Sequence, residues 1–140
     1  MHISTKARYA ARALVELALH YEGGEPVKLK DIAGRQDISL KYLEQVMFPL
    51  RVSGYVITQK GSKGGYLLAR LPEQITLLEI VEAVEGSVAP VECADQPGLC
   101  KKSDRCATHE AWVGLKDSIT RELGKITLAD LAAKQLAMDN

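Results

Sequence analysis

The chain has 140 residues, of which 46% are apolar and 26% charged, so its composition is that of a folded globular domain and not of a disordered chain. No apolar run approaches the roughly 20 residues of a membrane span, and charges interrupt the first 21 residues, so we expect neither a membrane span nor a signal peptide. We therefore expect a cytoplasmic protein. The net charge of zero hides an asymmetry between the two halves of the chain. Residues 1–72 contain 11 Lys and Arg and 6 Asp and Glu, a net charge of +5, whereas residues 73–140 contain 7 Lys and Arg and 12 Asp and Glu, a net charge of −5. A basic half joined to an acidic half indicates that the basic half binds a polyanion.

Apolar residues at helical spacing predict three helices in the basic half, over residues 4–21, 29–36 and 40–53. Ser39 is expected to cap the third helix through its hydroxyl. The apolar residues of that helix that we expect to face inward are Leu40, Leu43, Met47 and Leu50.

Two short strands follow, over residues 55–60 and 66–69, and they enclose a glycine-rich loop. This pattern predicts a β-hairpin. Two helices joined by a turn and followed by a hairpin are typical of a winged helix-turn-helix, so residues 1–72 are interpreted as a DNA-binding domain.

The second helix of such a pair enters the major groove, where Gln45 could pair with adenine and Glu44 could accept from cytosine. Lys41 and Tyr42 are expected to contact phosphates or to make mixed contacts. Any one of these residues could equally be an ordinary solvated residue, but the helix pair, the basic loop and the positive charge together favour double-stranded DNA as the partner. The predicted DNA-binding residues are Ser39, Lys41, Tyr42, Glu44, Gln45, Lys60, Gly61, Ser62 and Lys63.

The acidic half begins with a capping box, Thr76 and Glu79, which opens a helix to about residue 85. Residues 88–105 contain prolines and cysteines and are expected to be irregular. A long helix is predicted over residues 106–123, and a last helix follows a second cap at Thr127. The predicted fold is mainly α with a small β-hairpin wing, divided into residues 1–72, a connecting helix with a cysteine loop over 73–105, and two helices over 106–140.

Three cysteines lie within fourteen residues, and an odd number is a poor disulfide framework for a reducing compartment. Cys106 and His109 share one face of a helix start, and Cys93 and Cys100 precede them. Three thiolates and one imidazole suit either a zinc site or an iron–sulfur cluster, and the long spacings favour the larger cluster. Asp95, Asp104 and Glu110 are possible substitutes for His109.

Other functions remain open at this stage. The cysteines could sense thiol oxidation or hold zinc, the basic half could dock an acidic protein without an operator, and a redox carrier is a third class. No arrangement of nucleophile and base in the sequence predicts an enzyme.

Several motifs along nearly the whole chain resemble the iron–sulfur cluster regulator (IscR-type) family of winged helix-turn-helix transcription factors. The matching segments lie at residues 3–10, 38–45, 64–68 and 75–81, and the cysteine trio with His109 is the last. The resemblance implies a homodimer and a cluster, usually [2Fe–2S], held by Cys93, Cys100, Cys106 and His109. The two-fold symmetry of such a dimer predicts a near-palindromic operator in double-stranded DNA. It also implies that the long helix pairs with its twin, which gives a predicted dimer interface of Trp112, Leu115, Ile119 and Leu123.

Overall fold

The computed structural model describes residues 2–140, which form seven α-helices and one antiparallel hairpin. Six of the helices and the hairpin were predicted, and the seventh helix, Glu92–Asp95, lies in the segment that was expected to be irregular. The hairpin consists of β1 (Val56–Gln59) and β2 (Gly65–Leu68). The helices are α1 (Thr5–Leu19), α2 (Leu29–Gln36), α3 (Leu40–Val52), α4 (Leu77–Glu85), α5 (Glu92–Asp95), α6 (Ala107–Lys125) and α7 (Leu128–Asp139).

Helix α1 lies at the centre of the fold and packs against α3, α4 and α7. Three of its alanines have no exposed surface, and side chains this small let the neighbouring helices approach closely. The fully buried Leu128 of α7 joins the same core as Leu14 and Leu17 of α1. The C-terminal helix therefore returns to the basic half of the chain. The buried alanines of α1 are Ala7, Ala10 and Ala13.

Helix α3 begins as predicted, because the Ser39 hydroxyl accepts a hydrogen bond from the Tyr42 backbone N–H at 3.1 Å. Its apolar face differs from the prediction in one residue, since Leu40 is 44% exposed and Val46 is fully buried in its place. The spacing of the buried set centres the apolar face away from Leu40, which lies at the edge of that face in the first turn. The buried residues of α3 are Leu43, Val46, Met47 and Leu50.

The hairpin is attached to the helices by a short bridge that the sequence pattern did not predict. Val27 and Tyr66 exchange two backbone hydrogen bonds, of 2.9 and 2.8 Å, so the chain before α2 adds a third row to the wing. Gly65 permits this approach, because a Cβ atom there would lie 2.5 Å from the Val27 carbonyl oxygen. The wing is thus fixed in position relative to the helix-turn-helix.

The acidic half is anchored to the core at the junction of α6 and α7. Leu77 donates to the Ile126 carbonyl and Leu128 to the Ile75 carbonyl, both at 2.8 Å. Both predicted capping boxes are present, at Thr76 with Glu79 and at Thr127 with Asp130.

Helix α6 has nineteen residues, and none of them is buried, although it packs on α4 and α5. Every helix formed by residues 2–140 is too short or too polar to cross a lipid bilayer.

Candidate nucleic-acid interface and cysteine loop

The solvent face of α3 carries three of the predicted base-reading side chains. Lys41, Glu44 and Gln45 are all exposed, and their spacing places them on the side opposite the buried leucines. A shallow groove runs along this face and is also lined by Lys6 of α1 and by Phe48. The face combines hydrogen-bonding, cationic and apolar groups, which are the chemistries that the major groove distinguishes.

Sequence reasoning missed Lys6 and Phe48 as members of this face. Phe48 is 62% exposed and stands seven residues after Lys41, so helical periodicity alone could have placed it there. Lys6 belongs to another helix and reaches the groove only through the tertiary fold.

Tyr42 was expected to point outward, but it is half-buried and packs edge-on against Tyr9, with 5.8 Å between the ring centroids. The Arg12 guanidinium lies 5.3 Å from the centre of the Tyr9 ring and also donates to the Gln36 side chain at 2.7 Å. These contacts connect α1 to the end of α2 and to the first turn of α3, and so they fix the orientation of α3 relative to α1 and α2.

A buried carboxylate strengthens this connection between α1 and α2. Glu16 is 8% exposed, and it accepts hydrogen bonds from Arg35 at 3.0 Å and from Gln36 at 2.8 Å. Because its charge is paired and hydrogen-bonded, the carboxylate tolerates burial.

The wing tip places all four predicted residues, Lys60, Gly61, Ser62 and Lys63, in solvent. Gly61 has a φ of 107°, and Gly64 donates to its carbonyl at 3.0 Å, which closes the loop. The two lysines are therefore free to approach a phosphate or the minor groove.

The cysteine loop, residues 86–106, is more ordered than predicted. It contains α5 and two short 3₁₀ turns, at Pro97–Leu99 and Ser103–Arg105. The buried Ser103 hydroxyl donates to the Pro97 carbonyl at 2.7 Å and connects the two turns.

Two of the four predicted ligands meet in the structure. The His109 Nδ1 atom lies 3.3 Å from the Cys93 sulfur, across the gap between α5 and the first turn of α6. Cys106 is the N-cap residue of α6, and Cys100 is exposed; all three cysteines are free thiols. Within residues 2–140, no three His, Cys, Asp or Glu side chains are close enough together to share one metal ion.

The chemistry around these donors fits an anionic, thiolate-ligated centre. A hydrogen bond with the Thr108 hydroxyl, 3.1 Å from the sulfur, lowers the pKa of the Cys106 thiol, and the backbone of His109 and the charge of Lys102 lower it further. A lowered pKa favours the thiolate, which is the form that binds metals. Lys101 and Lys102 line the same surface pocket as Cys106, where their charges would offset that of such a centre.

An ion pair attaches the cysteine loop to α6. The Lys116 ammonium lies 2.8 Å from the Asp95 carboxylate and 3.5 Å from the Ala94 carbonyl oxygen. Hydrogen bonds from Lys116 and Ser87 hold the pKa of Asp95 below its ordinary value. Neither residue was singled out for this pairing by the sequence.

The predicted dimer residues lie on a partly exposed face of α6. Trp112 is 40% exposed, and Leu115, Ile119 and Leu123 are half-buried. Ile119 and Leu123 also line an apolar cleft of about 540 Å³ between α6, the N-terminal segment and residues 87–90.

A helix-turn-helix with an exposed recognition face, followed by a basic wing fixed beside it, defines the class of winged-helix DNA-binding proteins. A family model described as Rrf2, an iron-dependent transcriptional regulator, matches residues 3–134. The chain belongs to the Rrf2 family.

Relatives across the full length agree with this assignment. The HTH-type transcriptional regulator IscR of Xenorhabdus nematophila is 43% identical over 139 residues, which span 99% of this chain and 84% of the relative. Among solved structures, IscR of T. potens has a TM-score of 0.79 and 38% identity, covering 96% of this chain and 88% of its own. CymR of B. subtilis, described as the global cysteine regulator, has the same TM-score and 36% identity, and the match covers 96% of this chain and 98% of the CymR chain. These relatives are transcriptional regulators and not enzymes, which confirms both the resemblance and the expected non-enzymatic function.

Proposed function

We propose that the chain is a homodimeric regulator whose affinity for a near-palindromic operator depends on an iron–sulfur cluster held by Cys93, Cys100, Cys106 and His109. The observation that carries this proposal is the 3.3 Å approach of His109 to Cys93, which brings together donors sixteen residues apart. The family description as iron-dependent regulators supports it. Three thiolates and one imidazole are the ligand set that we expect for a [2Fe–2S] cluster.

When bound, the cluster supplies a centre that responds to iron supply and to redox state. The chain's own part is to couple residues 93–106 to α6. Cys106 occupies the N-cap position of α6, and Lys116 of α6 pairs with Asp95 of the same loop, so a rearrangement of the loop would reach the helix directly. Because ligand binding energy is also folding energy for the segment that it orders, this coupling can change DNA affinity by a factor of about 5 to 150.

DNA contact is assigned to the solvent face of α3 and to the wing tip. Gln45 and Glu44 read base edges, Lys41 and Tyr42 position the helix, and the wing lysines contact the backbone. A two-fold dimer requires half-sites about one helical turn apart.

The test begins with anaerobic purification of the full chain, followed by iron and sulfide assays and a visible absorption spectrum. We expect a coloured protein with about one cluster per chain. Operator affinity is then compared by gel shift before and after removal of the cluster. Equal affinities in the two states would contradict the proposed regulation, and a colourless, zinc-containing protein would contradict the cluster.

The ligand set is tested by Cys100→Ala, which should abolish the cluster and leave a folded protein. Leu99→Ala is the matched control, because Leu99 is the exposed neighbour of Cys100 and has no donor atom in its side chain. Cluster content that survives in Cys100→Ala would remove this residue from the set.

Thiol-redox sensing is the second candidate function, and the lowered pKa of Cys106 favours it. It predicts a colourless protein whose affinity for DNA changes on treatment with peroxide and recovers with a thiol reductant.

A further inference from the structure

Phe48 is an apolar side chain on a face that otherwise reads as polar. It is 62% exposed, and it shares a shallow groove with Lys6, Lys41, Glu44 and Gln45. The core of α3 is complete without it, because Leu43, Val46, Met47 and Leu50 already occupy the opposite face with no exposed surface. Packing of this chain therefore does not account for an aromatic ring at position 48.

Exposure of one phenylalanine does not by itself indicate a function, since single apolar residues are common on protein surfaces. The position of Phe48 among the proposed DNA-binding residues does indicate one. One helical stripe, with the spacing i, i+3, i+4, i+7, contains Lys41, Glu44, Gln45 and Phe48. A partner that contacts the three polar side chains therefore also lies next to the phenyl ring. Lys6 and Lys41 line the same groove as the ring. Their positive charges complement a polyanion and not an apolar protein surface.

The major groove offers one apolar group to such a ring, the C5-methyl group of thymine. We propose that Phe48 is a specificity-determining residue that selects thymine in the operator through contact with this methyl group. The inference rests on the proposed operator binding and assigns part of its base preference to a residue outside the predicted set.

The helix geometry also fixes where the thymine lies. Phe48 is three residues from Gln45, which is about 4.5 Å along the helix axis at 1.5 Å per residue. Base pairs are about 3.4 Å apart, so with α3 along the groove the thymine lies one to two base pairs from the base that Gln45 contacts.

The test uses the full chain, purified anaerobically, and a duplex selected from random double-stranded DNA for binding to it. Each thymine of the duplex is replaced in turn by deoxyuridine, which removes the methyl group and keeps every hydrogen-bonding atom. We expect one position per half-site where the wild-type chain loses affinity by about fourfold, equivalent to about 0.8 kcal/mol for one buried carbon group. At that position Phe48→Ala should bind thymine and deoxyuridine equally.

Two variants control the measurement. Met138→Ala shortens another exposed apolar side chain, 70% exposed and on α7, and it should show the wild-type preference. Phe48→Leu keeps an apolar contact and should retain part of the discrimination. Thermal unfolding of Phe48→Ala confirms that the variant is folded, as expected for a side chain outside the core.

The outcomes separate this inference from the proposed function. If the wild-type chain selects a duplex but tolerates deoxyuridine everywhere, or if Phe48→Ala keeps the fourfold loss, the thymine assignment is wrong while operator binding stands. If Phe48→Ala changes the oligomeric mass and leaves DNA affinity intact, the ring contacts another copy of the chain and the assignment is likewise wrong. If no duplex is enriched, operator binding itself fails, and the assignment fails with it.

Discussion

At the residue scale, α3 divides its side chains between those that pack on the rest of the chain and those that stay exposed on the proposed DNA-binding face. Tyr42 is half-buried against Tyr9, so it holds α3 in place as well as lying at the edge of the proposed DNA-binding face. Gln45, in contrast, is exposed and makes no side-chain hydrogen bond within residues 2–140 that would compete with a base. A side chain free of internal partners can be removed without disturbing the fold. Gln45 is therefore a clean probe of sequence reading.

Gln45→Ala should weaken binding to the selected operator by about 1–3 kcal/mol and leave binding to unrelated DNA nearly unchanged, because only the base contact is lost. Gel shifts on both duplexes measure this. Lys60→Ala at the wing tip is the contrasting variant, and it should weaken both duplexes alike and reduce the salt slope by about one. Equal losses on both duplexes for Gln45→Ala would reassign it to a backbone contact.

At the element scale, the sequence predicted best what depends on local side-chain chemistry. Ser39, Thr76 and Thr127 cap their helices as expected, because a capping hydroxyl needs only a backbone N–H two or three residues away. The Val27–Tyr66 bridge and the place of Leu128 in the core were not predictable in this way. Both depend on contacts between residues 39 or more positions apart.

In the candidate sites, too, local spacing was predictable from the sequence and contacts between distant residues were not. The periodicity of α3 predicted Lys41, Glu44 and Gln45 as exposed residues, but the inclusion of Lys6 in their groove depends on how α1 crosses α3. In the cysteine loop, spacing predicted the donors and even the shared face of Cys106 and His109. It could not show that His109 lies beside Cys93, since that depends on the packing of α5 on α6.

Lys116→Met tests whether the ion pair with Asp95 attaches the cysteine loop to α6. We expect faster amide hydrogen exchange in residues 92–99, because the loop loses its contact with the helix. Lys125→Met is the matched control, since among residues 2–140 Lys125 pairs only with Glu122 of the same helix, and both side chains are more than 60% exposed. Unchanged exchange in Lys116→Met would show that the turns of the loop hold it without this pair.

At the scale of the whole molecule, the most informative element is α6, which has nineteen residues and buries none of them. A helix of this length with Trp112 and three aliphatic residues on one face is typical of an element that completes its packing in an assembly. The adjacent apolar cleft beside Ile119 extends the same surface. We therefore expect this face to hold the two-fold interface.

Ile119→Glu should convert the dimer to a monomer, because a carboxylate placed in an apolar interface loses its hydration without gaining a partner. Light scattering coupled to size exclusion measures the mass. Arg121→Glu changes the charge at an exposed position of the same helix and should leave the dimer intact. A dimeric Ile119→Glu protein would place the interface elsewhere.

The paired hydrogen bonds between residues 75–77 and 126–128 have a mechanical consequence. They fix the C-terminal end of α6 to the core, while its N-terminal end begins at Cys106 and packs on α5 of the cysteine loop. A nineteen-residue helix is about 28 Å long, so a shift of the cysteine loop at its N-terminal end would tilt it as a rigid element about its fixed C-terminal end. A displacement of about 1 Å at the N-terminal end then corresponds to a tilt of about 2°. In the proposed homodimer the two-fold axis would repeat this tilt in the partner subunit, so the angle between the two α6 helices would change by up to about 4°.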